Sequence, residues 1–173
     1  MKKFEKIIVL LIVLVTISCT ESNAQKTTFS KKALSETLLT TTENQIAFQD
    51  ILKKYKGKTL LIKFWASWCG DCIKAMPKTK ELQATHPEVA YMFISLDKTA
   101  DKWKAGIEKY NLSGAHFMAN DQMNGVFGKA VDLDWIPRYL IVDKTGKIVL
   151  YRAIESDFSQ INSTLNQLEN NKL

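Results

Sequence analysis

The chain has 173 residues, 46% hydrophobic and 24% charged, with 7 Gly and 3 Pro, which excludes collagen-like, low-complexity and disordered proteins and fits one domain. Its 24 Lys and Arg against 18 Asp and Glu give a formal net charge of +6, yet no basic stripe with interleaved aromatics exists, so nucleic-acid binding is a poor explanation of the charge. Three cysteines are too few for a disulfide scaffold, so their placement carries the meaning.

Residues 1–18 read as an export signal: Lys2, Lys3 and Lys6 precede the apolar run Ile7–Ile17. That run is too short to cross about 30 Å of hydrocarbon as a helix, so a cleaved signal is expected rather than a permanent span. Val15-Thr16-Ile17-Ser18-Cys19 resembles a bacterial lipobox, which implies lipidation of Cys19 and a membrane anchor. Cleavage after Ser22-Asn23-Ala24 and an uncleaved anchor are the alternatives. Each places the body of the chain outside the cytoplasm. Residues 19–33 read as a flexible tether leading into a domain over 34–173.

Leu34–Thr42 and Gln45–Phe48 are compatible with a short hairpin. Phe48, Ile51, Leu52 and Tyr55 then mark one helix face, stopped by Gly57. Thr59–Trp65 is apolar on both faces, as a central strand covered on both sides has to be. A helix is expected from about Cys69 to Thr85, kinked at Pro77. Val89–Leu96 reads as a second buried strand, Trp103–Tyr110 as a helix and Val126–Val131 as a shorter one. Arg138–Val142 and Lys147–Tyr151 are strands joined by the turn residues Asp143-Lys144-Thr145-Gly146. A last helix carries Phe158, Ile161, Leu165 and Leu168. Alternating strands and helices that end in a hairpin and helix imply an α/β sheet with helices on both faces.

The informative segment is Phe64-Trp65-Ala66-Ser67-Trp68-Cys69-Gly70-Asp71-Cys72, where a buried strand hands over to a helix. A disulfide between cysteines three apart closes so small a ring that it constrains almost nothing, so reversible chemistry is the better reading. At a helix start, free backbone N–H groups and the helix dipole favour negative charge, which lowers the Cys69 pKa and supplies thiolate. Cys72, one turn inside, is expected to be more buried and to resolve the mixed disulfide.

This segment resembles the active site of the thioredoxin superfamily, and the exported context resembles its membrane-tethered, TlpA/ResA-like periplasmic branch. Pro77 matches the family's kink proline, and Trp135-Ile136-Pro137-Arg138 resembles its cis-proline loop. The resemblance covers roughly residues 45–170. It implies a thioredoxin-like fold with a central mixed sheet and an inserted helical region between the cysteine helix and the cis-proline loop. It also implies that Pro137 is cis and packed on the cysteine pair, leaving Ile136 to pair with an extended substrate strand. Trp68, Gly70, Asp71, Ile136 and Pro137 are then the substrate contacts, with Trp68 shielding the pair while keeping some exposure.

Three positions depart from the family pattern. Asp71 stands for the tetrapeptide proline, and its carboxylate opposes thiolate formation. Lys63 occupies the strand position of a buried acid beneath the second cysteine. Its stem packs while the ammonium reaches water, or it tunes Cys72. Arg138 follows Pro137 as a substrate or thiolate contact or as a solvated charge. Asp97 is read as a helix N-cap, with a buried acid as the alternative. His86 and His116 are read as surface or loop residues, and Trp65 as core.

Zinc finds no four-ligand spacing, and haem attachment fails because Ile73, not His, follows Cys72. The expectation is an exported protein-disulfide reductase without a bound cofactor. Its partners are disulfide-bearing proteins, apocytochrome c being one by family analogy, and a membrane thiol reductant as electron donor. No nucleic acid is expected, and a monomer suffices. A thiol peroxidase and a tethered, chaperone-like binding module are the rival readings.

Overall fold

A computed structural model describes residues 25–170. The export signal and Cys19 lie outside the described residues. Among the described residues no helix is long and apolar enough to cross a membrane.

The described residues begin with α1 (Lys31–Ser35), β1 (Thr37–Thr40), β2 (Gln45–Ala47), α2 (Phe48–Lys53) and β3 (Leu60–Trp65). α3 (Gly70–Lys74) and α4 (Met76–Thr85) follow, then β4 (Ala90–Ser95), α5 (Ala100–Tyr110), β5 (Ala115–Ala119) and α6 (Val126–Ala130). β6 (Arg138–Val142), β7 (Ile148–Ala153) and α7 (Phe158–Asn170) complete it. The strands form one mixed sheet in the order β2-β1-β5-β4-β3-β6-β7. β3 lies inside it, parallel to β4 and antiparallel to β6, and all six of its residues are buried.

Strand alternation assigns the helices to two faces. Phe64 points toward α6 and α2, where a chain of edge-on and tilted rings runs through Phe127, Phe48 and Phe29. Lys63 and Trp65 point the other way, toward Met76 and Thr79 of α4 and Tyr110 of α5. Tyr139, paired with Lys63 across β3 and β6, packs edge-on against Phe158 of α7. The expected sheet covered on both faces is therefore what forms.

Three details differ from the sequence reading. The long helix is two helices meeting at Ala75, and Pro77 falls in the first turn of α4, where its missing N–H leaves no bond unmade. Between the cysteine helix and the cis-proline loop the chain adds β5 as well as helices. β5 pairs parallel to β4 and antiparallel to β1, and so ties the N-terminal hairpin into the sheet. Residues 26–33, expected as tether, lie against the domain. Thr27 C=O accepts the Ile148 N–H at 2.8 Å, Lys26 pairs with Asp132, and Phe29 packs edge-on against Phe48 with centroids 5.0 Å apart. Ser30 caps α1 by accepting the Ala33 N–H at 3.1 Å.

Candidate active site

β3 and β4 run parallel with Trp65 opposite Ser95, so both chains leave the sheet at the same edge. Two residues further along each, Ser67 and Asp97 meet. The buried Asp97 carboxylate accepts the Ser67 N–H at 3.0 Å, the Ser67 hydroxyl at 2.7 Å and the Ser95 hydroxyl at 2.7 Å. A buried carboxylate needs its lone pairs filled, and filling them here fixes the loop that presents Trp68 and Cys69. The N-cap of α5 expected at Asp97 is Thr99 instead.

Cys69 is the N-cap of α3. Its sulfur is joined to that of Cys72, with Cα atoms 5.2 Å apart, and accepts the Cys72 N–H at 3.1 Å. Once the bond is reduced, an N–H aimed at sulfur at a helix start favours the thiolate. Cys69 is 7% exposed and Cys72 fully buried, so an incoming partner reaches Cys69 first. The Ile136 carbonyl lies 3.6 Å from the Cys69 sulfur, and the Ile136–Pro137 bond is cis. Beside these two residues, Trp68 and Trp135 are 58% and 52% exposed. Gly70 is open, with nothing within 4 Å of where a Cβ would stand. Asp71 turns outward to Lys74 at 3.5 Å.

A Redoxin family model matches residues 21–168. The chain belongs to the Redoxin family. It is similar to the thiol-disulfide oxidoreductase ResA of Bacillus thuringiensis subsp. konkukian (strain 97-27), 31% identical over 100 residues. That match covers 57% of this chain and 56% of the relative, so the chain spans about half the length of the curated relatives it matches. A solution structure from Bacteroides vulgatus, assigned as a thiol-disulfide oxidoreductase, aligns with TM-score 0.65 at 26% identity, covering 80% of this chain and 88% of that one. A thiol-disulfide oxidoreductase from Bacteroides fragilis NCTC 9343 aligns with TM-score 0.65 at 24% identity over 77% and 96% of the two chains, a likeness of fold. The redoxin thus has the thioredoxin-like fold.

Lys63 of this redoxin does not reach water. It is fully buried, and its Nζ donates to Thr79 Oγ1 at 2.9 Å and to Met76 Sδ at 3.3 Å, 5.4 Å from the Tyr139 ring centroid. Burial pushes its pKa down to about 7. Arg138 is not a solvated charge. It is buried at the start of β6, donates to the Arg152 carbonyl at 2.6 Å and pairs with Asp134, which also pairs with Arg152. Burial alone would raise the Asp134 carboxyl, but the Arg138 and Arg152 guanidiniums outweigh it and hold the carboxyl below its ordinary range. The clamp fixes the turn that carries Trp135 and Ile136.

The redoxin's histidines lie away from the cysteines. His86, read as a surface or loop residue, stands in the loop after α4 but is fully buried, with Nδ1 2.8 Å from Glu169 Oε2 and Nε2 2.9 Å from Asn162 Oδ1, joining the end of α4 to α7. Half-buried His116 donates Nε2–H to the Leu112 carbonyl at 3.0 Å and stacks on Phe93. Among the described residues no group of three or more His, Cys, Asp or Glu is arranged to hold a metal. Ser67, Thr79, Tyr139 and Asp134 escaped the sequence reading. Ser67 and Asp97 had a readable signal, since each stands two places beyond the end of one of two adjacent parallel strands.

Proposed function

We propose that this redoxin is a thiol–disulfide oxidoreductase that reduces disulfides of extracytoplasmic proteins. The observation that carries the reading is the cysteine pair: the sulfur of Cys69, 7% exposed, receives an N–H at a helix start and is bonded to that of the fully buried Cys72. The reduced Cys69 thiolate attacks a substrate disulfide, forming a Cys69–substrate S–S bond and releasing the first substrate sulfur. Cys72 then attacks Cys69, the second substrate sulfur leaves, and two electrons have passed to the substrate. The Ile136 backbone beside Cys69 and the exposed Trp68, with Gly70, Asp71 and Pro137, form the surface on which an extended segment docks.

The finer parts of the reading rest on the sequence. Residues 1–18 direct export, Cys19 carries a lipid that holds the protein at a membrane, and electrons come from a membrane thiol reductant. Apocytochrome c is one substrate that suits such a location. The test is reduction of insulin by dithiothreitol. The wild type accelerates the onset of turbidity, Cys69→Ser does not, and Cys72→Ser accumulates a mixed disulfide. Equal onset for wild type and Cys69→Ser would refute the exchange. The equilibrium potential against glutathione separates a reductase from an oxidase, and an oxidising value would overturn the assigned direction.

A further inference from the structure

Lys53-Lys54-Tyr55-Lys56-Gly57-Lys58 carries a dense run of lysines from the end of α2 toward the start of β3. Lys53, Lys54, Lys56 and Lys58 are all exposed, whereas Tyr55 is half-buried against the core, so the run offers charge without an aromatic face. The Gly57 N–H donates to the Lys144 carbonyl at 3.0 Å, and this bond ties the run to the β6–β7 turn, which adds the exposed Lys144 and Lys147. Leu60 pairs with Val142 where β3 begins and β6 ends. The lysines therefore gather at the end of the sheet opposite the one where Trp65 leads into the cysteines.

The domain itself makes little use of these charges. Lys53 suits the C-terminal end of the α2 dipole and pairs with Asp50 at 2.8 Å. Among the described residues Lys54, Lys56, Lys58, Lys144 and Lys147 form no ion pair. The nearby carboxylates do not neutralise them. One oxygen of Asp143 accepts the Thr145 and Lys147 N–H groups and the Thr145 hydroxyl, which holds it inside its own turn. Glu169 is turned to His86, and the exposed Glu88 stands with it across a cleft that Lys58 and Lys144 also line. Like charges held side by side without partners repel one another, and an anionic surface brought against them relieves that repulsion.

The N-terminal segment meets the body at the same place. The Thr27 carbonyl holds the Ile148 N–H, the residue next to Lys147, and Cys19 precedes Thr27 in the same segment. We propose that this lysine face is a docking surface for the anionic phospholipid headgroups of a bilayer. This deepens the membrane location proposed above and rests on it, but not on the exchange chemistry. One acyl signal and a basic patch together hold a protein on a membrane that either would hold weakly. Each lysine near an anionic surface strengthens binding about fivefold. With this face on the lipid, β3 runs outward, and its five steps of about 3.3 Å set the sulfur end about 17 Å further from the headgroups. The charge also keeps the exposed Trp68 and Trp135, whose rings suit a lipid interface, turned toward protein partners instead.

The test is lysine footprinting of the full chain, as cells process it, on vesicles of phosphatidylcholine alone or with about one-third phosphatidylglycerol. On the anionic vesicles, acylation of Lys54, Lys56, Lys58, Lys144 and Lys147 by an N-hydroxysuccinimide ester falls at least about fivefold relative to the neutral ones. It recovers as salt rises from about 0.05 to about 0.5 M. Lys98 and Lys102, exposed beyond β4 at the sulfur end, stay within about two-fold. Lys56→Glu/Lys144→Glu abolishes protection of the remaining patch lysines. Lys98→Glu/Lys102→Glu makes the same change of net charge at the other end and keeps it. Equal acylation on both kinds of vesicle overturns the proposal, as does protection of Lys98 and Lys102 in place of the patch. Protection by a DNA duplex but not by vesicles overturns it too. Flotation with neutral vesicles reports the lipid on Cys19 separately: a chain that floats only with anionic vesicles refutes the lipid anchor and supports the lysine face.

Discussion

Replacing Lys63 by Met tests the energetics of the buried amine in a way independent of catalysis. Folding moves this lysine from its ordinary 10.5 to about 7, which at about 1.4 kcal/mol per tenfold corresponds to about 5 kcal/mol of opposition to burying its charge. Between those two values the unfolded chain holds a proton that the folded chain has lost. Stability therefore rises with pH across that window, by about 1.4 kcal/mol per pH unit, and the full deficit is present below about pH 7. Methionine fills nearly the same volume without a charge, and Thr79 keeps its own bond to the Ala75 carbonyl. At pH 6 the variant should be more stable by about 2–5 kcal/mol, the lower figure allowing for relaxation around the ion. The gap should close by about 2 kcal/mol between pH 7.5 and 9.0. Urea unfolding of the oxidised proteins at three pH values, followed by tryptophan fluorescence, measures it, and ionisations common to both chains cancel in the difference. A gap that does not change with pH, or a variant less stable at pH 6, would show that Lys63 does not lose its charge on burial.

Four further substitutions probe the frame around the disulfide. Asp97→Ala leaves the Ser67 N–H and two hydroxyls without their acceptor and should cost about 2–4 kcal/mol in denaturant unfolding, with slower insulin reduction. Gly106→Ala drives a Cβ to 2.8 Å from Ser67 Cβ and 3.1 Å from the Trp65 ring, so it should cost about 1–3 kcal/mol by the same measurement. Phe29→Ala strips the first ring from the aromatic chain on one face and, being half-buried, should lower stability by about 1–3 kcal/mol in thermal melts. Trp135→Ala removes exposed apolar surface beside Ile136 and should raise the KM for a protein disulfide severalfold with little change in kcat; an unchanged KM would place substrate elsewhere.

The frame and the sulfurs were legible because their signals are local. An unbroken apolar run marked β3, turn residues marked the β6–β7 hairpin, and Cys-Gly-Asp-Cys after a buried strand marked the site. Elements recruited by distant partners were not legible. β5 is a five-residue strand, Ala-His-Phe-Met-Ala, whose strand character comes from β4 on one side and β1 on the other. Residues 26–33 look like a linker by composition, yet Phe29 has a hydrophobic berth against Phe48 and Thr27 a backbone partner in Ile148. Charge misled at Lys63, Arg138, Asp97 and His86, because polar residues are mostly exposed and each of these is buried among partners that composition does not reveal. Asp134 is one such partner: four places before Arg138 and far from Arg152, it holds both.

The docking of Lys26 and Thr27 also sets a length. If Cys19 carries acyl chains, only seven peptide steps separate the lipid from the point where Lys26 grips Asp132, a leash of about 25 Å at full stretch. Thr27 holds Ile148, which pairs with Val142 at the Leu60 end of β3, so the end of the sheet away from the reactive sulfurs is the one kept on that short leash. Such a protein patrols a shell no deeper than its own diameter. The clients of a protein so anchored would be chains that emerge from, or come to rest on, the same bilayer, not those that drift past at a distance.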